Sequence, residues 1–210
     1  MSAYIDTVTK MLSTKSSFQL LIKSLNIFRP TKEHALTIGF ISIISIVCGM
    51  FLGFSAKTVD LSKDILSYFI EIDIALLGII FTGYVFFQVL VNKELLKRLL
   101  SENNHKTDES KLQESNEYFV QVMILYVLFI FLCIIIKILL STVNNSFVLF
   151  RCNMLNNILA SSLLIIFIYY ELFIIWEVKS FIFNIFQIFN GYTATQIIES
   201  IQDESNNADE

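Results

Sequence analysis

Proline occurs once in the 210 residues, at Pro30, and glycine only six times. With so few residues that interrupt helices, the chain has little to break one outside the Pro30 region. There are three cysteines, Cys48, Cys133 and Cys152, an odd number without a Cys-x-x-Cys pair, so neither a disulfide framework nor a cysteine metal site is expected. Cys48 and Cys133 read as small apolar packing residues. The two histidines, His34 and His105, stand far apart with no partner at ligand spacing, which argues against a metal centre. No serine has the histidine and acid needed to activate it. An enzyme is therefore not expected, and neither is a cofactor. No basic patch carries the interleaved aromatics of a nucleic-acid surface, so direct nucleic-acid binding is not expected either.

Charge is also scarce, at 16% of residues, against 55% hydrophobic residues and a mean hydropathy of +0.65. Four long runs, Ala35–Phe54, Ile65–Val91, Tyr118–Leu140 and Ile158–Trp176, hold most of the apolar surface. A hydrocarbon core needs roughly 20 helical residues to span it, and each run approaches or exceeds that length. A soluble domain of this size could not bury so much apolar area. The expected fold class is all-α: an integral membrane protein with four transmembrane helices and amphipathic interfacial helices at both ends, in contact with the lipid bilayer.

Lysine and arginine set the orientation. Lys10, Lys15, Lys23, Arg29 and Lys32 precede the first run, and Lys93, Lys97, Arg98, Lys106 and Lys111 lie between the second and third. The other two loops hold only Lys57, Lys63 and Arg151. Both termini and the middle loop are therefore expected in the cytoplasm, with the protein multi-pass in the cell's inner (plasma) membrane. No small-residue cleavage site follows the first run, which is expected to stay as a signal anchor. Three regions result: a cytoplasmic, interfacial N-terminus (1–34), a four-helix transmembrane domain (35–176) with a cytoplasmic hairpin (92–117), and a cytoplasmic helix with an acidic tail (177–210).

The flanks have their own periodicity. Phe18, Leu21, Ile22, Leu25 and Phe28 share one helical face opposite Lys23 and Asn26, the pattern of a helix lying in the membrane interface. Thr31 and Glu33 suit the start of the first span. The second span is expected to run on through Asn92–Leu100, with Glu94 pairing to Lys97 or Arg98, and to end at Asn103-Asn104. After Trp176 a polar stripe of Glu177, Ser180, Asn184 and Gln187 faces a wide apolar surface, Phe181–Phe189. This reads as an amphipathic helix on the inner leaflet or against its own copies, stopped by Gly191 and followed by a short helix near Gln196–Ile201 and a disordered tail.

Polar residues within the spans are the candidates for function, because ionisable groups there are costly. Glu71 and Asp73 sit towards the outer surface and Lys137 near the outer end of span three, where an ion pair could tie two helices or an acidic ring could line a pore mouth. Glu171 lies deeper, with Gln88 and Gln121 at a similar depth. A protonated Glu171 bonded to either amide would link helices, or Glu171 could gate an ion pathway. Ser45, Gly49 and Gly53 form a small-residue stripe for close helix packing, with another span or another subunit.

Two readings of function follow. The first is a non-enzymatic sensor or effector subunit, an oligomer that signals to a cytoplasmic partner; the other is a small ion channel or transport protein with acidic residues at its pore. The outer loops lack the paired cysteines of connexins, claudins and tetraspanins. The layout, with Ser17–Phe28 before span one, the basic extension Asn92–Leu100 and the Phe/Ile-rich Phe181–Phe189, resembles the four-span membrane subunits of bacterial anti-phage defence systems, of the Kiwa membrane-subunit type. That resemblance implies a homo-oligomer of the inner membrane that senses infection and signals to a cytoplasmic effector. It assigns no role to any single residue.

Overall fold

The computed structural model describes residues 16–28, 35–91, 93–101 and 110–208. These residues form helices α1 (Ser17–Leu25), α2 (Ala35–Gly53), α3 (Thr58–Leu90), α4 (Lys93–Ser101), α5 (Lys111–Ser141) and α6 (Asn153–Ala208), with a 3-10 turn at Asn26–Phe28. No strand occurs among the described residues. Helices α2, α3 and α5, and α6 over Asn153–Ile198, are long and apolar enough to cross a membrane. The protein is all-α and multi-pass. Pro30, Thr31, Glu33, His34, Asn103, Asn104 and His105 lie outside the described residues, as do the side chains of Glu94, Lys97 and Arg98 and the acidic side chains from Asp203 onward.

Local chemistry sets the helix starts. Ser16 and Gln19 form a reciprocal capping box at α1: the Gln19 N–H donates to Ser16 Oγ at 3.3 Å and the Ser16 N–H to Gln19 Oε1 at 3.2 Å. At α5 the Gln113 N–H donates to Ser110 Oγ at 3.3 Å. Helix α3 begins at Thr58, before the long apolar run, because a distant side chain caps it. Asn145 Oδ1 accepts from the N–H groups of Val59 and Asp60 at 3.1 and 3.3 Å, and Asn145 Nδ2 donates to Asp60 Oδ2 at 2.6 Å.

The chain divides into two compact units. The first comprises the described parts of Met1–Ser24, Ile79–Met123 and Lys179–Glu210. Its core holds the rings of Phe87, Phe119 and Phe181, with Phe119 edge-on to the other two at centroid distances of 5.2 and 5.4 Å. Gly83 lets the Phe181 ring come into contact with α3. Tyr84 Oη donates to Asn116 Oδ1 at 2.8 Å, Gln88 Nε2 donates to the same oxygen at 3.3 Å, and Lys23 pairs with Glu117.

The second unit comprises Leu25–Gly78 and Ile124–Val178. Here the small-residue stripe of α2 meets α6. A Cβ on Gly49 would lie 2.9 Å from Ile165 N, and one on Gly53 would lie 2.6 Å from Ser161 N and Cα. Ser45 is buried and donates its hydroxyl to Ile41 O at 2.8 Å, so it adds no unsatisfied donor. Close approach of the backbones is what small residues permit in lipid, where packing rather than water expulsion holds helices together. Buried Tyr126 donates to Ile174 O at 3.1 Å and joins α5 to α6.

Three expectations require correction. The extension after span two is a separate helix, since α3 ends at Leu90 and α4 starts at Lys93; Asn92 lies outside the described residues. Gly191 does not stop the last helix, which continues to Ala208. A helical glycine costs about 1 kcal/mol relative to alanine, but here its bare Cα sits beside Leu95, which a Cβ would meet at 3.4 Å. Finally, the amphipathic segment Phe181–Phe189 is not a separate helix after span four but a continuation of α6. Phe181 and Ile188, two turns apart on one face, are buried, while Ile182, Phe183, Phe186 and Phe189 are exposed.

Candidate functional site: a buried carboxyl pair

The apolar surface of an α3–α5–α6 bundle leaves room for few polar groups, yet two carboxyl groups lie inside it. Asp73 on α3 is 0% exposed and Glu171 on α6 is 1% exposed. Their side chains face each other at hydrogen-bonding range. Both oxygens of each group are sealed from solvent, and none accepts a hydrogen bond from any other group. Cys133 of α5, fully buried, and the hydroxyl of Tyr170 lie within electrostatic reach. The Tyr170 hydroxyl is buried and also without a hydrogen-bond partner. Among the described residues no group of three or more His, Cys, Asp or Glu side chains is arranged to hold a metal ion.

Aromatic rings pack around Tyr170, beside the pair. Phe129 of α5 stacks on Tyr170 with centroids 4.6 Å apart and planes 18° from parallel. Phe28 presses on Tyr170 and Phe173 at 4.8 Å each. The pair also lies deep along its helices. Asp73 is 15 residues beyond Thr58, the first residue of α3, or roughly 22 Å at about 1.5 Å per residue.

Two acids in contact whose oxygens accept no hydrogen bond from another group interact in a way that depends on protonation. Two unit charges about 4 Å apart repel by on the order of 4 kcal/mol at the effective dielectric of a protein. A single proton between the carboxyls replaces that repulsion with a strong O–H···O⁻ hydrogen bond, as in the acid pairs of aspartic proteases. The pair can thus pull α3 and α6 together or push them apart, depending on one proton.

Comparison with family models, with curated proteins and with solved structures returned no match. The site has to be argued from its geometry.

The sequence candidates distribute as follows. Asp73 and Glu171 come together. Lys137 and Glu71 are exposed, and among the described residues no ion pair links Lys137 to Glu71 or Asp73. The expected pairing of Lys137 with Asp73 is therefore replaced by Asp73 with Glu171. The reason is rotational: Glu71 lies two residues, or about 200°, from Asp73, so only one of them can face the bundle interior. The early start of α3 also moves Asp73 from the outer turns to the interior of its helix. Neither glutamine bonds Glu171. Gln88 donates to Asn116, and Gln121 is buried within the same unit as Gln88. The sequence reading took Cys133 for a small apolar packing residue and gave Tyr170 no role; the only signal for Tyr170 was its place directly before Glu171.

Proposed function

We propose that this protein is a non-enzymatic, homo-oligomeric sensor subunit of the bacterial inner membrane, with both termini in the cytoplasm, that signals to a cytoplasmic partner. The buried Asp73–Glu171 pair is its switch. The observation that carries this reading is the sealed contact between two carboxyl groups on different helices, none of whose oxygens accepts a hydrogen bond from another group. Packing alone would favour an apolar pair of similar volume at such a position, so ionisable groups retained inside a span point to a functional role. Gain or loss of one proton changes the sign of the α3–α6 interaction, which is what a two-state element needs. The phage-defence setting implied by the layout of the chain is part of the proposal as its biological context.

The channel or transport reading draws on the same pair, because intramembrane acids also mark proton and ion pathways. One experiment separates the two. Spin labels at Ile74→Cys and Ile166→Cys, in a Cys48→Ser, Cys152→Ser background, report the α3–α6 distance in liposomes as pH is stepped. The same liposomes are assayed for proton and cation flux. The sensor reading expects a pH-dependent distance that Asp73→Asn with Glu171→Gln abolishes, without flux. Flux that disappears in the double variant would favour transport. A distance insensitive to pH in the native pair would remove the switch.

A further inference from the structure

Between α3, α5 and α6, on the side of the carboxyl pair towards the 54–57 and 142–152 loops, the second unit contains an apolar crevice of about 280 Å³. Leu66, Phe69, Leu140, Leu164, Phe167 and Ile168 line its depth, and Thr58 and Ser62 stand at one end. An apolar cavity of about 150 Å³ already holds a benzene molecule, so this one is large for an unfilled packing defect.

We infer that the crevice holds one acyl chain of a bilayer phospholipid, and that this chain is the ligand through which the state of the membrane reaches the carboxyl pair. Three observations carry the inference. The crevice lies within helices that cross the membrane, so hydrocarbon is the medium at its opening. Its polarity is graded along one axis, like a lipid. The hydroxyl of Thr58 donates to Ser55 O at 2.6 Å and that of Ser62 to Thr58 O at 2.7 Å. Their oxygens remain as acceptors at that end of the crevice. Inward from there the lining is aliphatic and aromatic. Third, the crevice wall is continuous with the site: Phe69 lies 6.2 Å from Phe129, which stacks at 4.6 Å on Tyr170, the residue before Glu171. A chain that enters or leaves displaces Phe69, and with it the ring ladder that positions Glu171. The second part of this inference rests on the switch described above; the first does not.

The experiment uses the full chain in two steps. Native mass spectrometry of protein extracted in mild detergent counts bound phospholipid, and phosphatidylcholine with brominated chains is added back for cryo-electron microscopy. One retained phospholipid per chain, with bromine density between Phe69 and Leu164, is expected; Ala160→Phe, which fills the crevice, should lower occupancy by about tenfold or more. Absence of retained lipid, or bromine density only around the outside of the bundle, overturns the site without relying on any variant. Equal lipid retention in Ala160→Phe overturns it as well. The Ile74–Ile166 distance is then measured with and without lipid. Lipid bound as expected with an unchanged distance overturns the coupling, and a pH-dependent distance in that same sample keeps the switch itself standing.

Discussion

Replacing Gly53 with alanine tests the close approach of α2 to α6. A Cβ at this position would lie 2.6 Å from both the N and Cα of Ser161, against ordinary van der Waals contact beginning at 3.4 Å. The obstacle is backbone, so no rotamer change relieves it. Helices α2 and α6 would have to separate by roughly 0.8 Å, enough to forfeit a quarter to a half of each dispersion well along the contact. Overpacking of this kind costs about 1–3 kcal/mol, more than the 0.5–1 kcal/mol that alanine gains over glycine as a helix former. Gly39 and Gly78 provide internal controls, because a Cβ at either meets nothing within 4 Å. Gly39→Ala and Gly78→Ala should therefore be neutral or stabilising by up to about 1 kcal/mol. Thermal unfolding in detergent micelles, followed by circular dichroism, measures all three variants. If Gly53→Ala matched Gly39→Ala, the α2–α6 contact as described would be wrong.

At a pH high enough to ionise both acids, Glu171→Gln places an amide donor against Asp73 in place of a second charge, and should stabilise the unit by about 1–3 kcal/mol by satisfying a buried acceptor; a lower melting temperature than wild type at that pH would contradict the contact. Asn145→Ala removes the cap that accepts from the N–H groups of Val59 and Asp60, with an expected loss of about 1 kcal/mol and faster hydrogen exchange confined to the first turn of α3. Tyr126→Phe deletes the hydrogen bond to Ile174 O, for a loss of about 0.5–1.5 kcal/mol, readable as a drop in melting temperature with the helical content unchanged. Gly191→Ala should leave stability unchanged or slightly raised, because its Cβ would only touch Leu95 at 3.4 Å; a large loss would point to a tighter contact than described.

Much of the architecture was legible because membrane helices follow from composition. Twenty apolar residues with satisfied internal hydrogen bonds have few alternatives in hydrocarbon, so the runs beginning at Ala35, Ile65, Tyr118 and Ile158 lie within α2, α3, α5 and α6. Helix ends were less legible. The cap on α3 comes from Asn145, a loop residue distant in sequence, and the expected stop at Gly191 rested on a local preference alone, while α6 continues to Ala208. The candidate site was legible by residue type and not by pairing. Glu171 and Asp73 stood out because ionisable groups are rare in spans, but Lys137 and two glutamines offered themselves as partners on depth alone.

The amino-acid sequence by itself determined the solvent, the all-helical class and the number of spans, since these depend on hydrophobicity summed over a window and not on which residue meets which. Only the tertiary structure decided that Asp73 turns inward and Glu71 outward, that Gly49 and Gly53 press on Ile165 and Ser161, and that two buried acids face each other with no hydrogen bond from any other group. Those outcomes depend on the rotation of each helix about its axis. In lipid that rotation is set by the fit between neighbouring helices, because the medium treats every apolar face alike.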